Sequence, residues 1–252
     1  MKNQYFGDNR DLFKYDLLLR IAQGMLQLRR NIEIISMLTP DDGSRQGNQV
    51  DRSRAKAGTK NERLRRFLDK CLSEDRRHVK EIEKYFSSEG MRARVNDESF
   101  SHDGRRQYFR RVVGRGFRSA LVFIDPDIGL EIKRSGEKHC LRDEVQLIYD
   151  VMDSDSVFVI YQHLVPWEKN TKDFTGSLDA RCQKLGKIIN DIPLYLSDDE
   201  IMFFLMTKSR ELKRTVALVL EQYQVAYENL RLYTPRFPAP RLLHLPSDAV
   251  QQ

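Results

Sequence analysis

Apolar residues along the chain change their spacing several times, and each change marks the edge of an element. Between 11 and 30, Leu12, Leu17, Leu18, Ile21, Met25 and Leu28 recur at helical spacing, which predicts an amphipathic helix with Asp8 or Asp11 available as its cap. Ile32, Ile34, Ile35 and Met37 follow as a short β-branched run that stops at Leu38-Thr39-Pro40-Asp41-Asp42-Gly43, so a strand should run into a turn. Residues 43–58 are polar and basic without a period, the pattern of an exposed loop. Helices are expected over about 60–73 and 75–89, a strand near 91–95, and a strongly basic helix over about 103–113.

The clearest buried strand is the unbroken apolar run at 119–124, Ser-Ala-Leu-Val-Phe-Ile, as expected where both faces of a parallel sheet are covered. It ends at Asp125-Pro126-Asp127-Ile128-Gly129. A helix over 141–152, a strand over 156–161, a helix over 173–189, a strand over 201–206 and a helix over 211–223 alternate after it. That alternation predicts βαβ crossovers in one doubly wound, mostly parallel α/β sheet. The expected organisation is a single domain over 1–235, with 44–118 as a basic, mostly helical insertion over the sheet edge. A Pro-rich extended tail, with Pro238, Pro240 and Pro246, is expected over 236–252.

Composition narrows the class without choosing a chemistry. The 252 residues are 40% hydrophobic and 32% charged, and the longest apolar runs, such as that at 201–206, are too short to span a bilayer. No secretory signal opens the sequence, so a soluble cytoplasmic protein is expected. Cys71, Cys140 and Cys182 stand far apart, with the pattern of neither a disulfide framework nor a zinc site. The net charge of +6 is unevenly spread. Arg52, Arg54, Arg63, Arg65, Arg66, Arg92, Arg94, Arg105, Arg106, Arg110, Arg111, Arg115 and Arg118 fall within one stretch of the chain. Clustered cations attract polyanions by counterion release, which makes nucleic acid the first partner to consider. The plainer reading is a set of solvated helix faces.

In an open α/β sheet, ligands bind beyond the carboxyl ends of the strands, where strand order reverses. The candidates are therefore Thr39, Asp41, Asp42 and Gly43 after the first strand, and Asp125, Asp127, Gly129 and Glu131 after the second buried one. Tyr161, Gln162 and His163 follow the third. Carboxylates gathered at strand ends are costly unless paired or bound to a ligand. The bland alternatives are a turn cap for Asp125 and a loop anchor for Gln162-His163.

The stretch Gly7-Asp8-Asn9-Arg10-Asp11-Leu12-Phe13-Lys14-Tyr15-Asp16-Leu17-Leu18 resembles the Gly-Asn-x-x-Asp-x-x-Lys-x-x-x-Leu opening of S-adenosylmethionine-dependent N6-adenine methyltransferases that act on ribosomal RNA. Leu121-Val122-Phe123-Ile124-Asp125-Pro126 resembles their Ile-Asp-Pro-Pro-Tyr motif, and also the Phe-Ile-Asp-Pro-Phe-Gly of three-Cys-motif partner proteins. The chain as a whole resembles a bacterial family sharing Tyr-Phe-Gly-Asp, Met-Leu-Thr-Pro-Asp-Asp-Gly, Asp-Pro-Asp-x-Gly-Leu-Glu and Tyr-Gln-His, a likeness that implies no activity of its own. The methyltransferase resemblance implies a Rossmann-like fold. It also implies an Asp125-Pro126-Asp127 segment that holds a target amine, a base drawn out of the duplex, and S-adenosylmethionine near Gly7, Asp8, Lys14, Asp41, Asp42 and Gly43. Arg105, Arg106, Arg110 and Arg111 would meet phosphate, and Glu131, Gln162 and His163 would border the crevice. Asp127 stands where the motif has its second Pro, and no aromatic residue follows, which weakens base stacking. The turn after the first strand also lacks the small residues usual in such enzymes, a role that Gly43 and Gly47 would partly fill. Lys14 would approach the strand ends from its helix, its plainer reading being a Lys that snorkels along an amphipathic surface.

Two other classes stay open on the residues. Asp41, Asp125 and Asp127, with Asp42 and Glu131, could converge on Mg²⁺ or Mn²⁺ for metal-assisted phosphodiester cleavage, with Lys133 completing a Glu-x-Lys pair. A catalytically inactive domain that binds nucleic acid or protein is the third.

Overall fold

The computed structural model describes residues 1–25, 31–43, 49–54, 57–131, 136–164, 174–198, 200–227 and 230–234. The predicted helical turn at 26–30, Gly47, Lys133 and the tail at 236–252 lie outside them. The strands are β1 (Asn31–Ile35), β2 (Arg92–Asn96), β3 (Ala120–Ile124), β4 (Gly129–Leu130), β5 (His139–Cys140), β6 (Val157–His163), β7 (Leu194–Ser197), β8 (Ile201–Met206) and β9 (Arg231–Tyr233). Seven of them form one sheet in the order β2-β1-β3-β6-β8-β7-β9, and β4 pairs with β5 in a small separate ribbon. Parallel pairing joins β2, β1, β3 and β6; antiparallel pairing then joins β6 to β8, β8 to β7 and β7 to β9. Five strands therefore share one direction, and β8 and β9 oppose it.

The α/β expectation holds, with a correction at the far edge. The hairpin of β7 with β8 and the edge strand β9 were not foreseen. Their apolar runs, Leu194-Tyr195-Leu196 and Leu232-Tyr233, are too short to announce strands on their own.

Helices α1 (Asn9–Gly24), α2 (Glu62–Ser73), α3 (Ile82–Ser88) and α7 (Arg210–Ala226) cover one face of the sheet. Helices α4 (Arg105–Val113), α5 (Arg142–Asp150) and α6 (Phe174–Ile189) cover the other. Alternation along β3 serves both layers: Leu121 and Phe123 enter the first core, and Ala120, Val122 and Ile124 the second. That is why its sequence reads as an unbroken apolar run. Each of the larger of these side chains, fully buried, stabilises the fold by about 2 kcal/mol. Within 44–118, β2 adds a strand to the sheet, α2 and α3 pack on its first face, and α4 packs on its second. This stretch is woven into both layers rather than laid over the sheet edge as an insertion.

The chain passes from β1 to β2 on one side and then crosses to β3 on the other, so strand order reverses between β1 and β3. Helix α1 lies over that point. Asp8 caps it, accepting hydrogen bonds from the N–H groups of Arg10 at 2.9 Å and Asp11 at 3.0 Å. The amphipathic expectation underestimates its burial. Wedged among α2, α7, β1 and β3, α1 hides most of its circumference, including Asp11, Lys14 and Asp16. Gly58 permits part of this approach: a Cβ there would lie 2.3 Å from the Leu12 carbonyl oxygen, and its φ of +83° is left-handed.

Candidate functional site

A crevice of about 560 Å³ opens beyond the carboxyl ends of β1, β3 and β6, where the topology places the ligand site of such a sheet. At its floor, Lys14 of α1 donates to Asp125 Oδ2 at 2.9 Å, joining residues 111 positions apart in sequence. Both side chains are almost wholly buried, at 6% and 3% exposure. Lys14 also lies 3.4 Å from Asp11 Oδ1 and 4.4 Å from the centre of the Tyr161 ring. Asp11 in turn accepts the Gly7 N–H at 2.8 Å, which fixes the entrance to α1. Among the described residues no hydrogen bond reaches Asp125 Oδ1.

The electrostatics of this cluster are lopsided. Burial, then the neighbouring Asp11 charge, pushes the Asp8 carboxyl up to about 7. Burial also raises Asp11, against the pull of Lys14. Burial opposes the charge on Lys14, but Asp125 and then Asp11 outweigh it, and its ammonium is held more firmly than usual. Burial likewise raises the Tyr161 phenol. Acidic groups outnumber the cations that would neutralise them, which is the arrangement that marks ligand sites more often than cores.

The sequence-predicted residues divide. Asp8, Lys14, Asp42, Asp125, Pro126, Asp127 and His163 all line the crevice. Asp127 lies 3.8 Å from Lys138, and Asp42 pairs with Lys2 at the rim. Gly7 sits behind the wall, where its carbonyl accepts from Arg52 at 2.8 Å. Asp41 and Gly43 belong to the outer loop, tied to the Gln4 N–H and side chain respectively. Gln162 is a loop anchor: its Oε1 accepts the Leu130 N–H at 2.9 Å, and its Nε2 donates to the Ile128 and His163 carbonyls. Glu131 points to the start of α5, accepting the Arg142 N–H at 3.0 Å. His163 Nδ1 lies 3.0 Å from the Leu164 carbonyl oxygen.

The turn out of β1 is built without a glycine. Met37 takes the left-handed conformation, with φ of 41°; its N–H bonds the Tyr108 hydroxyl at 3.2 Å and its side chain lies in the second core. Such strain is uncommon for a residue with a side chain and clusters at functional sites. The metal-binding trio does not form. Asp41 borders a different hollow with Arg76, Arg77 and His78, and among the described residues no three His, Cys, Asp or Glu side chains are placed to hold a metal ion.

The basic stretch also splits. Arg105 is committed internally, to Glu144 at 2.5 Å and to the His139 carbonyl at 2.8 Å, where it ties α4 to α5 and to the ribbon. Arg111 pairs with Glu98. Arg106 and Arg110 are exposed on α4. Because α4 runs back from the end of β2 to the start of β3, Arg106 lies toward the crevice end of the sheet and Arg115 and Arg118 toward the opposite end. Sequence reasoning missed Lys2, Tyr5, Arg10, Asp11, Lys138 and Glu200, all of which line the crevice. For Arg10, Asp11 and Lys14 a signal existed, since charges three and four apart form one stripe on an otherwise apolar helix.

Among the described residues no helix is long and apolar enough to cross a membrane. No protein-family model matches the chain, and no curated protein matches it.

Proposed function

We propose that the protein is a methyltransferase-like enzyme of Rossmann type that uses S-adenosylmethionine and acts on an amino group of nucleic acid. One observation carries the reading: the two segments that resemble the methyltransferase motifs, far apart in sequence, meet through Lys14 and Asp125 at the switch point of the sheet. Asp125 Oδ1 is the acceptor for the target amine, and the Pro126 carbonyl is the second. Lys14 holds Oδ2, so the carboxylate presents its free edge in one orientation. Tyr161 under Lys14 and Ile128 beside Pro126 keep that floor partly apolar.

The donor set suits the cofactor. S-adenosylmethionine carries a sulfonium, an ammonium and a carboxylate, and the crevice offers both signs: Asp8, Asp11, Asp42, Asp125, Asp127 and Glu200 face Lys2, Arg10, Lys14, Lys138 and the Met1 ammonium. When bound, the cofactor would supply an electrophilic methyl group. Asp8, Asp42 and Lys14 are the residues placed to hold it; Asp41 and Gly43 stand outside. Arg106 and Lys138 are the cations best placed to meet nucleic-acid phosphate near the crevice.

The test is transfer of labelled methyl from S-adenosylmethionine to RNA and to single-stranded DNA. Wild type is expected to label one of them, and Asp125→Ala to abolish labelling with little loss of fold. Absence of transfer to either nucleic acid by folded wild type would overturn the reading, and undiminished transfer by Asp125→Ala would remove the site assignment.

A further inference from the structure

Arg10 lines the crevice and has no task in the mechanism above. It lies in the first turn of α1, four residues before Lys14, so the two side chains share one helix face with Cβ atoms about 5–6 Å apart. Lys14 and Lys2 are each held by a carboxylate at hydrogen-bonding distance. The Arg10 guanidinium makes no hydrogen bond among the described residues. Its nearest carboxylate oxygen, Glu200 Oε2, lies 3.7 Å from Nε, beyond a hydrogen bond. Nε is buried and has no hydrogen-bond partner, a state that is unfavourable when nothing fills it. The side chain is 23% exposed, against 6% for Lys14, so Arg10 is more open to solvent than the Lys14–Asp125 pair.

We propose that Arg10 is the anion-binding residue of the crevice, taking a phosphate group of the substrate while Asp125, deeper in the same crevice, takes its amine. The proposal rests on the nucleic-acid reading for the identity of the substrate and adds, beside Asp125, a phosphate contact to those that reading gives Arg106 and Lys138. A guanidinium presents a planar fork that matches two oxygens of a phosphate, and it keeps its charge at any working pH. The groups around Arg10 explain why a bare anion would bind poorly. Tyr161, Asp8, Glu200 and Asp11 face it, and the three carboxylates repel an anion that offers nothing in return. A ligand with an amine at one end and a phosphate at the other satisfies Asp125 and Arg10 together, which selects an amino-substituted nucleotide over both inorganic phosphate and a nucleoside.

Calorimetric titration with adenosine 5′-monophosphate, adenosine and S-adenosylhomocysteine, on wild type, Arg10→Gln and Arg10→Lys, tests this. The monophosphate is expected to bind wild type at least about tenfold more tightly than adenosine. Arg10→Gln should erase that difference while leaving adenosine unchanged. Arg10→Lys, which keeps the charge and loses the fork, should retain part of it. Thermal melts confirm that both variants fold. Equal binding of monophosphate and adenosine to wild type, or binding of neither, overturns the proposal. Weakening of S-adenosylhomocysteine by Arg10→Gln, with the monophosphate unaffected, would assign Arg10 to a carboxylate and also overturn it. Arg10-dependent monophosphate binding without any methyl transfer would keep this proposal and discard the methyltransferase reading.

Discussion

Helix α1 carries two buried acidic clusters less than two turns apart, and they are built on opposite rules. Asp16 is fully buried, and every direction around its carboxylate is used. Its Oδ2 accepts from the Tyr223 hydroxyl at 2.9 Å and the Tyr227 hydroxyl at 3.0 Å, and its Oδ1 accepts from Asn61 Nδ2 at 2.8 Å. Those donors stand at the cap of α2 and along α7 and its end, so the cluster pins three elements together. Around Asp11, Lys14 and Asp125, carboxylates exceed cations, Asp125 Oδ1 is uncommitted, Arg10 Nε is unpartnered, and the group faces a cavity. Satisfied and sealed polar groups hold structure; under-satisfied groups vented to a cavity hold a ligand.

The largest predicted effect separates the two clusters by stability. Asp16→Ala leaves two buried phenols without an acceptor, while Asn61 Nδ2 keeps the Tyr85 hydroxyl at 3.0 Å, and denaturant unfolding should show a loss of about 3–5 kcal/mol. Asp125→Ala should cost less, about 2 kcal/mol, because the Lys14 ammonium left behind keeps Asp11 within 3.4 Å and water from the crevice can reach it. Equal losses would erase the distinction.

Protonation gives the next test. The folded protein raises the Asp8 carboxyl to about 7 from its ordinary 3.8. Between those values the native state binds a proton that the unfolded state has released, so stability falls as pH rises toward 7 and levels off above it. Asp8→Asn preserves the helix cap and removes this penalty. It should stabilise the protein by about 4 kcal/mol near pH 8 and by little near pH 4, as read from melts across that range. A pH-independent effect would show that Asp8 is not charged at a cost.

Smaller effects sharpen the contrast on α4. Arg105→Ala removes the link to Glu144 and the His139 carbonyl and should destabilise by about 1–3 kcal/mol. Arg106→Ala and Arg110→Ala should leave stability within about 0.5 kcal/mol and each reduce the salt dependence of nucleic-acid binding by about one unit of slope. An unchanged slope in both would confine any nucleic acid to the crevice.

Much of this was legible in the sequence because it depends on local pattern. Residues 119–124 announced β3 through an apolar run that both cores require, and Asp125 at its end announced the site through strand polarity. Lys14 was legible as a candidate, but its partner was not, since nothing local links positions 14 and 125. Asp41 and Asp125 looked equivalent as carboxylates after strands. They differ because Gln4 draws Asp41 into the outer loop, a tertiary contact without a sequence signal. Arg105 and Arg106 are neighbours in a basic run, yet helical geometry turns one inward to Glu144 and the other to solvent. The edge strands β7 and β9 escaped because their apolar runs are too short to announce strands without the neighbours they pair with.

The most direct test of the central claim is calorimetric titration of S-adenosylmethionine into wild type and Asp125→Ala, with Arg106→Ala, outside the crevice lining, as a control. The account predicts saturable binding to wild type, an unchanged affinity in Arg106→Ala, and at least about tenfold weakening in Asp125→Ala, where the Lys14 ammonium loses the carboxylate that positions and neutralises it beside the cationic cofactor. Absence of binding to folded wild type, or binding of Mn²⁺ in place of the cofactor, would contradict it.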